Sequence, residues 1–144
     1  MAKFEWYQAV KLMQQNLVRI EAGNSVGSGV RFAVPDKYEA QYNHCILTAH
    51  HVIKDILKDK LPLSIIPESD RKKKWTIEDW SIVHNQEHDH ALVMFGCADC
   101  MPPFRPYKIL EPKSHYVPGV EIGWLGYPNI SGLNGVACFS HGYI

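Results

Sequence analysis

The feature that most restricts how this chain folds is the pace at which short β-branched runs are cut by turn residues. Leu17 to Glu21 is short and β-rich, and Ala22-Gly23-Asn24 turns it into Val26–Val34, which Pro35-Asp36 ends. Gln41 to Thr48 is the next strand, and His51 to Leu57 has room for a single helical turn. Leu63 to Ile66 lies between Pro62 and Pro67, which confine it to a short or edge strand because proline cannot donate to a ladder. Trp75 to His84 and His90 to Phe95 read as a strand pair. Many short strands with frequent turns suggest a β-barrel or sandwich. No internal repeat breaks this reading.

One helix precedes the strands. Trp6, Val10, Met13 and Leu17 recur at helical spacing, with Lys3, Lys11 and Gln15 off the stripe, so residues 4–16 are expected to form a helix packed across the barrel. After Phe95 the pattern fades. Gly96 to Pro118 is rich in Cys and Pro and reads as a linker. Gly119 to Gly126 is a strand running into Tyr127-Pro128-Asn129, and after a Leu133-Asn134-Gly135 turn Val136 to Ile144 is another. The expected organisation is thus an N-terminal helix (1–16), a first barrel (17–95), an interbarrel linker (96–118) and the opening of a second barrel (119–144).

Composition bears on partners. Fifteen basic residues balance fifteen acidic ones, so the chain has no bulk attraction to nucleic acid or to an anionic membrane. The basic run Arg71-Lys72-Lys73-Lys74 leads straight into Trp75 and reads as a solvated loop feeding a strand. No stretch approaches the ~18 consecutive apolar residues that a membrane span requires. Met1 to Gln8 lacks the apolar core of a signal peptide, and a cytoplasmic location is expected. Cys45, Cys97, Cys100 and Cys138 do not form a disulfide framework in such a setting. Cys97 and Cys100 have zinc-knuckle spacing, but a structural zinc needs four ligands, so they read as free thiols. His84, His88, Asp89 and His90 flank a strand turn and would project in different directions, which disfavours a metal there.

Chemistry concentrates at Cys45-Ile46-Leu47-Thr48-Ala49-His50-His51-Val52-Ile53, where a short apolar strand breaks at a histidine. An imidazole held there suits general-base work, because its unperturbed pKa lies near neutrality. Leu-Thr-Ala-His-His-Val resembles the histidine motif of chymotrypsin-fold (trypsin-like) serine proteases, closest to the bacterial high-temperature-requirement or Deg type. On that resemblance His51 is the base, Thr48 and Val52 match the flanking Thr and Val, and His50 is a neighbour. Asp89-His90-Ala91-Leu92, 38 residues after His51, resembles the family's Asp-x-Ala-Leu motif, which makes Asp89 the residue that orients the base. Gly27-Ser28-Gly29-Val30 and Gly123-Trp124-Leu125-Gly126-Tyr127-Pro128 are similar to glycine-framed segments of the two barrels. Val52 stands where secreted trypsins commonly have a half-cystine.

The resemblance implies an all-β, chymotrypsin-like double barrel with the first barrel complete and the second truncated. It implies serine endopeptidase chemistry on a polypeptide substrate, with no metal or organic cofactor. The nucleophile is missing: Ser131 and Ser140 lack Gly-x-Ser-Gly-Gly surroundings, Ser25 precedes the histidine, and Cys138 reads as mid-strand. A free-standing two-strand remnant would expose a half-core and open edges, which favours a truncated peptidase, inactive as this chain alone. The alternative is a pseudoprotease that binds a peptide or protein through its barrel.

Overall fold

The computed structural model describes residues 5–97, 101–105, 118, 121–127 and 136–143. Seven strands form one antiparallel sheet: β1 (Leu17–Ala22), β2 (Ser25–Phe32), β3 (His44–Thr48), β4 (Leu63–Pro67), β5 (Trp75–Ile77), β6 (Trp80–Asn85) and β7 (His90–Phe95). Helix α1 (Trp6–Gln14) precedes them and helix α2 (His50–Leu57) follows β3. The spatial order is β5-β4-β1-β2-β3-β7-β6. The outermost strands, β5 and β6, are joined by only Glu78 and Asp79. Consecutive Cα atoms stand about 3.8 Å apart, so that connection spans at most about 11 Å. Such a tether obliges the sheet to curl until its edges approach. The molecule is mostly β, and this curled sheet is the first barrel of a chymotrypsin-like fold.

The curl is filled from one face of each strand. Val18, Ile20 and Ala22 of β1, Leu63 and Ile65 of β4, Ile46 of β3, and Ala91, Val93 and Phe95 of β7 form one buried cluster with Trp75, Ile77 and Trp80. The alternation of buried and half-buried residues along β1 and β4 is the period of two that a pleated strand imposes. At one end of the curl α2 inserts Val52, Ile53 and Ile56, all buried; each such side chain contributes roughly 2 kcal/mol of apolar burial. At the other end lies residue Arg31, four positions further along β2 than Gly27, which faces Val52; four residues of strand span about 13 Å. Arg31 is 2% exposed. Its guanidinium donates to the carbonyl of Pro102 at 2.6 Å and lies 4.1 Å from the ring centroid of Phe104. Burial lowers its pKa to about 10, which still leaves it charged at neutral pH.

Several expectations are corrected. Helix α1 ends at Gln14, and Leu17 belongs to β1 rather than to the helix stripe. None of its residues is buried, and it lies beside a second, two-stranded sheet instead of across the barrel: Trp6 is 5.3 Å from Phe139. That sheet pairs β8 (Glu121–Gly126) with β9 (Cys138–Tyr143). Cys138 opens β9 and is not mid-strand. Residues Gln41 to Asn43 stay outside β3, and α2 has eight residues, two turns rather than one. Strand β4 is interior, flanked by β1 and β5; its prolines sit just before and at its end, where they cost little in the ladder. The run Trp75–His84 is two strands, because the chain must leave one edge of the sheet and start the other. The segment read as a linker is pinned where it is described. Met101 joins the core, and Asn16 bonds both the N–H and the carbonyl of Arg105. The turn at Leu133–Gly135, Ser131, Cys100 and Pro128 lie outside the described residues.

Candidate active site

His51 stands in the first turn of α2, whose N-cap is Ala49 with extended backbone. The strand before it is fastened: the hydroxyl of Thr48 donates to the carbonyl of Ser28 in β2 at 2.8 Å. Asp89 comes from the turn between β6 and β7, whose register pairs Asn85 with His90 and leaves four residues in the loop. The side chain of Asn85 accepts from the N–H of His88, and Asp89 has φ +51°, a left-handed conformation that Asp tolerates better than most residues. Its carboxylate reaches the first turn of α2.

The two residues meet at two points. Asp89 Oδ2 lies 2.7 Å from His51 Nδ1, and Asp89 Oδ1 accepts the backbone N–H of His51 at 2.8 Å. Those bonds, the side-chain one first, hold the Asp89 carboxyl below the usual carboxylate range. With Nδ1 protonated and facing Asp89, a neutral ring presents the lone pair of Nε2 outward. The arrangement can therefore accept a proton at Nε2 and stabilise the resulting imidazolium. Both side chains are open to water, 66% and 51% exposed. An ion pair this exposed adds little stability of its own, so the backbone on either side must hold the geometry.

The sequence placed two histidines here, and the structure separates them. His50 is buried, with its ring 5.1 Å from that of His84, while His51 reaches Asp89. His88 and His90 stack on each other at 6.3 Å. Of the four residues considered for a metal, His84 faces His50, Asp89 faces His51, and His88 and His90 face each other; among the described residues no group of three or more His, Cys, Asp or Glu is arranged to hold a metal ion. The backbone of Cys97 is paired with the side chain of Asn43 in both directions. Ser25 donates to Asp55 at 3.1 Å. Ser140 lies exposed on β9, beside an open cavity of about 270 Å³ that Ser28, Trp124, Tyr127 and Cys138 also line.

The sequence named Gly27, Ser28 and Tyr127 as motif residues without giving their partners in the fold. Gly27 accepts Val52 against its bare backbone, and Ser28 links Thr48 to Tyr127, whose N–H donates to Ser28 Oγ at 2.7 Å. The available signal was the Gly-Ser-Gly motif itself, which names the residues but not their partners.

No protein-family model matches the chain, and no curated protein matches it. Among solved structures it is similar to the Rv3671c protease in its inactive form, with 17% identity and a TM-score of 0.55. The likeness covers 93% of this chain and 53% of that one, so the chain spans about half the length of the protease it matches. At that identity the likeness establishes the fold, which is that of a trypsin-like protease.

Proposed function

We propose that this chain carries the base-and-orienter half of a serine-type endopeptidase acting on polypeptides. The observation that supports it most is the two-point contact between His51 and Asp89. In this reading neutral His51 takes a serine hydroxyl proton at Nε2 as the hydroxyl attacks the scissile carbonyl. Asp89 fixes the tautomer and stabilises the imidazolium, which then returns the proton to the leaving amine. None of the 144 residues is a serine in Gly-x-Ser-Gly-Gly surroundings, so the 144-residue chain alone is expected to leave peptides uncut.

That missing loop is also the observation that favours a second reading, a pseudoprotease that binds a peptide or protein without cleaving it. The product of the complete gene decides between them. Under the peptidase reading it labels with a fluorophosphonate and cleaves a fluorogenic peptide. His51→Ala abolishes both, and Asp89→Asn lowers turnover by about 10⁴. A folded, complete product that neither labels nor cleaves overturns the peptidase reading, and retention of a peptide by that product supports the binding module.

A further inference from the structure

The contact between His51 and Asp89 is exposed, so something beyond the pair must set where α2 begins. Val52, the residue after His51, is 3% exposed and lies on β2 at Gly27. A Cβ built on Gly27 would fall 2.4 Å from Val52 Cγ2, 3.0 Å from Cγ1 and 3.3 Å from Cβ. Gly27 has no left-handed φ, so alanine suits its backbone and the objection is purely one of space. Both Val52 methyls already crowd that point. A β-branched side chain in a helix is about 90% confined to one χ1 rotamer, so Val52 cannot easily swing aside. The relief has to come from α2 moving away from β2.

We propose that Gly27 is a positioning residue for His51: its missing side chain is the socket in which Val52 seats, and that seating sets His51 within reach of Asp89. The proposal deepens the peptidase reading and gives the Gly-Ser-Gly motif a role in the site. Restoring ordinary van der Waals contact at Gly27 requires a displacement of about 1 Å, enough to take bonds of 2.7 and 2.8 Å outside hydrogen-bonding range. Gly29 offers the comparison. A Cβ there would meet Ile46 and Ile20 side chains at 2.6 and 2.7 Å, in the core and against no residue of α2.

The test reads the pair directly and needs no peptidase activity. Asp89 is titrated by carbon NMR of its carboxyl in the 144-residue chain and in Gly27→Ala, Gly27→Ala/Val52→Ala and Gly29→Ala. Gly27→Ala is expected to raise the Asp89 midpoint to the ordinary carboxylate range. The double variant, which removes the two crowding methyls, returns it to the wild-type position, and Gly29→Ala leaves it there. If Gly27→Ala does not fold, the double variant must fold and keep the low midpoint. A folded Gly27→Ala with an unchanged midpoint, or a double variant that restores neither fold nor midpoint, overturns the proposal. Failure of the complete gene product to cleave peptides would overturn the peptidase reading and leave this result standing.

Discussion

The backbone N–H of Tyr127 donates to the side-chain oxygen of Ser28 at 2.7 Å, joining two glycine-framed segments 99 residues apart. The carbonyl of the same serine accepts from Thr48, so Ser28 connects the end of β3, which leads into the His51 helix, to the end of β8. Adjacent Gly126 comes so near that a Cβ on it would stand 3.0 Å from Ser28 Oγ. The close approach is what lets a backbone amide reach a strand side chain.

Replacing Ser28 by alanine removes that acceptor and leaves the Tyr127 amide to water or to nothing. A net loss of about 1 kcal/mol is expected, the ordinary worth of one such bond. Hydrogen exchange gives the sharper readout. The Tyr127 amide should exchange roughly 5- to 10-fold faster in Ser28→Ala, while core amides of β1 change only with global stability. Equal protection of Tyr127 in both proteins would mean that the bond does not hold the hairpin.

His51 and Asp89 make a second expectation, about acid. The carboxyl of Asp89 lies below its unfolded value because His51 bonds it through ring and backbone. A depressed carboxylate adds stability that is present above the unfolded pKa and is lost as pH falls through the folded one. Since the group is open to water, the effect is small, and the titration itself is the better measurement. His51→Ala removes the ring bond and keeps the backbone one, so the Asp89 midpoint should rise part of the way to the ordinary value. A midpoint that stays put would show that the ring contributes nothing.

Much of this was legible in the residues, and the exceptions share a cause. That His51 and Asp89 meet was legible through resemblance, because the Leu-Thr-Ala-His-His-Val and Asp-His-Ala-Leu runs stand in the order that chymotrypsin-fold serine proteases use. The strand break at Glu78-Asp79 was not, since nothing local says that β5 pairs with β4 and β6 with β7. Pro62 and Pro67 suggested an edge, yet β5 covers β4 because the prolines fall just outside and at the end of the paired stretch. Gly27 was visible as a motif residue, while its reason lay 25 positions away in Val52. The pinned stretch after Phe95 left one trace, a charged Arg31 between Val30 and Phe32, whose partners only the folded chain supplies.

Asn16 provides the third expectation. It is 2% exposed, and its side chain donates to the carbonyls of Arg31 and Arg105 and accepts from the N–H of Arg105. Its own carbonyl also accepts from the N–H of Arg31. Asn16→Ala keeps that last bond and strips three from the side chain, leaving carbonyls and an amide without partners. The cost should be about 3 kcal/mol, since orphaned partly buried groups add to the bonds lost. Limited proteolysis should then cut between residues 101 and 105 well below the midpoint of global unfolding. A loss under about 1 kcal/mol with that stretch still protected would show that Arg31 and Phe104 suffice to hold it.

Tyr127 provides the last, at high pH. Its hydroxyl donates to Glu68 Oε2 at 2.5 Å, and Arg71 approaches the other carboxylate oxygen at 3.6 Å. Burial, and then the bond to Glu68 and its charge, push the phenol well above its ordinary range. Tyrosine is charged when deprotonated, so the unfolded chain loses this proton near pH 10 while the folded chain keeps it. The stabilisation is therefore fully present below about pH 10 and is lost as pH rises beyond it. Tyr127→Phe removes the bond and the titration together. At neutral pH it should cost about 1–2 kcal/mol, the worth of a hydrogen bond to a charged group that is only partly buried. Above pH 10 the wild type should lose stability faster than the variant, and the two urea midpoints should converge. Midpoints that fall in parallel from pH 9 to pH 11 would place the phenol's titration outside the folding equilibrium and sink this account of the Tyr127–Glu68 contact.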